Sequence, residues 1–121
     1  MTTSVETASI VERLSHPAIR MQFDTGASAM NGEDPESIIR QFSHLIGHIH
    51  ASEPNLVPIG SGNVNHLEVA LALGRLLQKH VVSIEMVATT NEPHLHAIER
   101  SLAAAIQCYV APFRESVEGT S

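Results

Sequence analysis

Tryptophan is absent from this 121-residue sequence, and three phenylalanines and one tyrosine make up its aromatic content. So few rings exclude a stacking platform for single-stranded nucleic acid. Cationic side chains are scarce as well: seven Lys and Arg stand against thirteen Asp and Glu, for a net charge of -6. Phosphate binding needs a basic surface, so nucleic acid is not an expected partner. The single cysteine, Cys108, cannot form an internal disulfide and fits a reducing cytoplasm. Long apolar runs are missing too. The N-terminal stretch carries Glu6 and Glu12, so it reads as neither a signal peptide nor a membrane span, and no membrane partner is expected. With 43% hydrophobic and 17% charged residues, what remains is the composition of one globular domain with one core.

What is present is a regular alternation of helix and strand signals. Thr3 and Glu6 fit a capping box ahead of the apolar positions Val5, Ala8, Val11 and Leu14, which predicts a helix over 3–15. Residues 18–23 alternate and read as a strand, and 25–32, with two glycines, as a loop. Asp34-Pro35 opens a second helix with Ile38, Ile39 and Phe42 on its buried face. A second strand follows over 45–50. The loop after it carries Gly60-Ser61-Gly62-Asn63, which lacks the ending of a phosphate-binding loop and reads as a turn that needs positive backbone angles. Asn65 caps a third helix, 81–86 form a third strand, and Asn91-Glu92-Pro93 opens a last helix. Its expected buried stripe is Leu95, Ile98, Leu102, Ala105, Ile106 and Tyr109. Cys108 lies near that stripe without an activating neighbour and reads as packing.

This order belongs to the α/β class with a parallel sheet. Which strand face is polar decides the architecture. Ile19/Met21/Phe23, Leu45/Gly47/Ile49 and Val82/Ile84/Met86 suit a helix-covered face. Arg20/Gln22/Asp24, Ile46/His48/His50 and Val81/Ser83/Glu85 take the other parity. A doubly wound sheet wants both faces apolar, whereas a barrel covers its outside alone and tolerates polar groups inside. The expected fold is therefore part of a (β/α)8 TIM barrel, since eight units need about 250 residues and this chain supplies three strands. Residues 1–112 should form it, and 113–121 a disordered tail.

The chemistry concentrates in Gly47-His48-Ile49-His50-Ala51-Ser52-Glu53-Pro54-Asn55. Two histidines at strand spacing project from one face, and neutral imidazole is the commonest protein metal ligand. Asp24 and Glu85 each end a strand of their own. An Asp, a His and a Glu at three strand ends outline a metal site: Asp24, His50 and Glu85.

Ile19–Asp24-Thr25-Gly26, the histidine stretch, Pro58-Ile59-Gly60-Ser61-Gly62 and Val82–Met86 together resemble the sugar isomerase/epimerase family of xylose-isomerase-like barrels. Within it they are most similar to the ketose 3-epimerases acting on tagatose and psicose. The likeness covers roughly residues 3–110 and the last three strands of the family barrel, so the chain reads as its C-terminal portion. It implies a divalent metal, Mn2+, Co2+ or Mg2+, held by Glu, Asp, His and Glu. Asp24, His50 and Glu85 match the last three, and the first glutamate belongs to an earlier strand. It also implies that Glu85 is catalytic, one of two acid/base groups that move a proton through an enediolate of a small sugar substrate. The family histidine three positions after the aspartate is Ala27 here, and a family arginine is Leu56.

His48, Glu53 and His66 are the substrate-contact candidates. The implied partners are the N-terminal remainder of the barrel or a second copy of the chain. Three other readings compete with the isomerase/epimerase. One is a non-catalytic, self-associating half barrel. The others are a dehydratase or lyase of the same superfamily, and a zinc hydrolase resembling the abasic-site endonucleases.

Overall fold

The structure, a computed structural model, describes residues 2–77 and 79–118. Helix α1 (Ser4–Leu14) begins at the expected capping box: Thr3 Oγ1 accepts the Glu6 N–H, and the Glu6 carboxylate accepts the Thr3 N–H. Strand β1 (Met21–Asp24), helix α3 (Pro35–Phe42), strand β2 (Ile46–Ala51), helix α4 (His66–Leu76), strand β3 (Val82–Ile84) and helix α5 (His94–Tyr109) follow the predicted order. The N-caps Asp34 and Asn65 accept the N–H of Ser37 and Glu68 as their sequence context suggests.

The three strands form one parallel sheet in the order β1-β2-β3. Met21, Phe23, Ile46 and Ile49 point to one face, where Ala8, Val11, Ile38, Ile39, Phe42, Val69, Ala72 and Leu73 from α1, α3 and α4 close over them. Phe23, Ile39 and Ile49 are at most 1% exposed, and each such side chain contributes about 1.5–3 kcal/mol by burial. On the other face Gln22 is exposed, and His48 and His50 are half-buried. Helices thus cover one side of the sheet and polar residues line the other, as the parity argument requires.

Four expectations need correction. The segment after Asp24 is not a loop: Thr25–Met30 is a short helix, α2, with Asp24 as its N-cap. In β2, Ile46 does not share a face with His48 and His50. The register steps from Met21↔Ile46 to Gln22↔His48, so Gly47 is an extra residue and the alternation slips by one there. Such bulges are rare in parallel pairs. Glycine is needed because a Cβ at 47 would lie 2.6 Å from the Arg20 Cβ. Arg20 itself bonds the Leu45 and Ile46 carbonyls from Nε at 3.2 Å and Nη2 at 2.9 Å.

Helix α5 meets the rest of the chain through small residues, Ala97, Ser101 and Ala105. Its large apolar residues Leu95, Ile98, Leu102 and Ile106 remain 42–63% exposed. The expected stripe mixed two faces: the small residues let the helix approach closely, and the large ones flank that contact. Finally, the chain does not fray after residue 112. Ala111–Glu118 is a helix, α6, with Pro112 in its first turn, where the missing N–H costs little. Phe113 lies against Gly74, and a Cβ at 74 would collide with its ring. Residues 119–121 of the expected tail lie outside the described residues.

Replacing Gly47 by Ala should cost about 1–3 kcal/mol, because Arg20 or the β1 end must move. Urea unfolding would read this as a lowered midpoint, and an unchanged midpoint would mean that Arg20 swings aside freely.

Candidate metal centre

Asp24, His50 and Glu85 come together where their strands end. Asp24 closes β1 opposite His50 in the register, and His50 is in turn paired with Ser83 of β3. Glu85 lies just beyond β3, with its N–H donating to the Ala51 carbonyl at 3.0 Å. One potential ligand atom from each of the three residues falls within 4.8 Å of the others. Donors sharing a divalent cation at about 2.1 Å lie at most about 4.2 Å apart, so a small side-chain rotation closes the set. The Glu85 side chain, 44% exposed, is free to make it.

The hydrogen bonding around His50 fits a cation. Its Nδ1 lies 3.0 Å from the Gln22 amide nitrogen and 3.1 Å from Glu85 Oε2. An amide N–H only donates and a carboxylate only accepts, so one neutral imidazole nitrogen cannot serve both. Two arrangements resolve this: the Gln22 amide turns its oxygen toward Nδ1, whose proton then serves both acceptors, or Nδ1 keeps its lone pair free for a cation. Among the described residues no Lys or Arg pairs with Asp24 or Glu85, while Glu36 and Glu92 do have arginine partners. Two carboxylates and one imidazole without a protein cation form a ligand set suited to a divalent metal.

Sequence reading missed the groups that brace this set. Ser52 Oγ donates to Asp24 Oδ1 at 2.7 Å and accepts the Gly26 N–H at 3.0 Å. Thr25 Oγ1 donates to the Ser52 carbonyl at 2.7 Å and accepts the Ser52 N–H at 2.8 Å. Gly26 must lack a side chain, since a Cβ there would lie 2.8 Å from the Glu53 backbone. The signal for Ser52 was available: it continues the parity of His48 and His50. Gln22 was legible in the same way, two residues before Asp24.

The substrate-contact candidates separate. The His48 ring stands edge-on to His50 with centroids 4.8 Å apart, on the same polar face. Glu53 borders the cleft beside Asp24 and Glu85 but turns its carboxylate inward, and it and His66 have side chains 0% and 4% exposed. The Glu53 carboxylate accepts the N–H of Gly60 at 2.9 Å and of Val64 at 3.0 Å, and its Oε2 lies 3.3 Å from His66 Nε2. His66 Nδ1 is 2.7 Å from the Tyr109 hydroxyl. The glycine loop therefore does hold an anion, and the anion is Glu53 of the same chain. Gly60 has φ +89°, the positive angle expected of that loop.

A cleft of about 350 Å3 opens beside the ligands, bordered by Asp24, Ala27, Met30, Asn55, Leu56 and Glu85. Ala27, Met30 and Leu56 give that cleft an apolar wall. Asn55 and Leu56 hold left-handed angles, φ 63° and 57°, unusual for a leucine. Cys108 is half-buried, and burial pushes its thiol pKa up, away from nucleophilic character.

No family model and no curated protein matches the sequence. Solved structures do. L-ribulose 3-epimerase is similar at TM-score 0.78 and 18% identity, over 100% of this chain and 46% of its own. D-psicose 3-epimerase is similar at TM-score 0.75 and 20% identity, over 90% and 44%. For 3-keto-D-glucoside 4-epimerase from E. coli the values are 0.79 and 16%, over 89% and 41%. This chain has the fold of part of a (β/α)8 barrel. It spans less than half the length of those proteins, and at such identities the likeness is one of fold. No described helix is long and apolar enough to cross a membrane.

Burial holds the His66 pKa below its ordinary value, against the opposing pull of Glu53. The unfolded chain then binds the proton more readily, so stability is full above about pH 6.5 and falls as the pH drops below it. Unfolding midpoints between pH 7.5 and 5.5 should decline more steeply for wild type than for His66→Gln, and parallel declines would remove His66 as the cause.

Proposed function

We propose that this chain supplies the metal-binding edge of a sugar epimerase or isomerase. In this reading Asp24, His50 and Glu85 hold a divalent cation, and Glu85 also exchanges a proton with the substrate carbon next to the carbonyl. The observation that carries it is the convergence of these three side chains from three strand ends, where barrels of this kind build their sites. An oxygen-rich set with one imidazole suits Mn2+, Co2+ or Mg2+. When bound, the cation supplies Lewis-acid stabilisation to adjacent carbonyl and hydroxyl oxygens. The chain's own residues do the rest. Glu85, at the rim of the cleft, does the general acid/base work in this reading. His48 lies beside His50 as a polar contact for substrate hydroxyls, and the Ala27 and Leu56 wall favours a sugar or sugar derivative with a less polar end.

The same reading calls for more β/α units. Sheet order leaves the outer edges of β1 and β3 unpaired among the described residues. Val81, Val87 and the large apolar residues of α5 are exposed beside β3. Further barrel units, from a longer polypeptide or an associated one, would cover them and bring a second acid/base group to the opposite side of the substrate. A zinc-cluster hydrolase is less well supported, because one group of three ligands is found among the described residues.

Mn2+ should bind the chain, and His50→Ala should weaken binding at least about hundredfold, beyond what losing an outer partner costs. Tight binding independent of His50 would sink the site. In the completed barrel, Glu85→Gln should cut epimerisation of a ketose by about 10^2–10^4-fold. Unimpaired turnover in that variant would assign the proton transfer elsewhere.

A further inference from the structure

Resting on the metal-site reading above, we propose that Ser52 is a positioning residue for Asp24, holding one carboxylate oxygen so that the other is left for the cation. Ser52 is 0% exposed, and its hydroxyl has one proton to give. The Gly26 N–H can only donate to that hydroxyl, so the proton is committed to Asp24 Oδ1 at 2.7 Å. The Ala27 N–H reaches the same oxygen at 2.8 Å. Oδ1 thus carries two donors, while Oδ2 receives no hydrogen bond among the described residues. The terminal torsion of an aspartate is broad and its carboxylate turns easily unless held. Here two donors fix it, and Ser52 cannot drift, because Thr25 Oγ1 bonds both its N–H and its carbonyl. The side chain of Gly26 has to be absent for the hydroxyl to come this close: a Cβ there would lie 2.6 Å from Ser52 Oγ. A ligand oriented in advance binds metal more tightly than one that must be ordered on binding.

A merely structural serine would hold the strand ends together and leave metal affinity alone. Ser52→Ala separates the two roles, since it keeps the Thr25 bonds to the Ser52 backbone. Ser101→Ala is the matched control: Ser101 is 1% exposed, its hydroxyl accepts the Ile59 N–H at 3.1 Å, and it is not part of the metal site.

The experiment titrates the full chain and its variants with Mn2+, followed by electron paramagnetic resonance of the free ion, and with Co2+, followed by its visible absorption. Ser52→Ala should weaken Mn2+ binding about 10–100-fold and alter the Co2+ spectrum. Ser101→Ala should melt at a lower temperature yet bind both ions as wild type does. If Ser52→Ala binds within about twofold of wild type with an unchanged Co2+ spectrum while His50→Ala loses binding, positioning is overturned and the site stands. Should wild type bind neither ion, or His50→Ala bind equally well, the metal-site reading fails and takes Ser52 with it. If Ser52→Ala does not fold, the isosteric pair Ser52→Thr and Ser52→Val decides. Tighter binding by the threonine variant supports the role of the hydroxyl, and equal affinity overturns it.

Discussion

The interaction on which the rest of the chain depends is the fully buried carboxylate of Glu53. Removing such a group from water costs on the order of several kcal/mol unless hydrogen bonds replace the lost solvation. The Gly60 and Val64 N–H groups supply those hydrogen bonds, His66 Nε2 lies 3.3 Å from the carboxylate, and His66 passes the connection on to Tyr109. One side chain thus gathers the end of β2, the glycine loop, the start of α4 and the end of α5. Gly62 is glycine for the same reason, since a Cβ there would lie 2.7 Å from Glu53 Oε1. Ser52 precedes Glu53 directly and faces the opposite way, toward Asp24. Fixing Glu53 in the interior therefore also fixes the backbone from which Ser52 reaches Asp24.

Much of the fold was legible because the strand parities carry it. Met21 with Phe23 and Val82 with Ile84 lie on the helix-covered side as alternation predicts, and polar residues line the other. Alternation failed at Ile46, where one extra residue shifts the phase. Nothing in the sequence marks the bulge except Gly47 itself, and a glycine in a strand has several explanations. Helix α5 failed for a different reason. Periodicity finds the largest apolar residues, but a helix can bury its small face when close approach to a sheet matters more than side-chain volume. The exposed Leu95–Ile106 row follows from that choice. It is also what a chain would show if further barrel units belonged beside it.

The candidate site was legible to the extent that it consists of strand-end residues. Asp24, His50 and Glu85 were readable from position, and His48 from its parity with His50. Glu53 and His66 illustrate the limit. A Glu and a His near a glycine loop look like surface chemistry in a sequence, and only the burial of the carboxylate reveals an internal hub. Ser52 and Gln22 illustrate the reverse: both stand at legible positions, but serine and glutamine are too common in strands to draw attention without partners.

The bulge joins these two levels. In a strictly alternating β2, Ile46 would share the face of His48 and His50, and an isoleucine would be lost from the core to the polar side. Inserting Gly47 lets Ile46 and Ile49 both face the helices while His48 and His50 both face the site. The insertion is tolerable because it sits at the start of β2, where Arg20 bonds the Leu45 and Ile46 carbonyls. Downstream of it the register is regular, so Asp24, His50 and Ser83 lie side by side, and Glu85 arrives at the same end. The meeting of Asp24, His50 and Glu85 is thus set at the opposite end of the strand, by one glycine and one arginine that touch none of them.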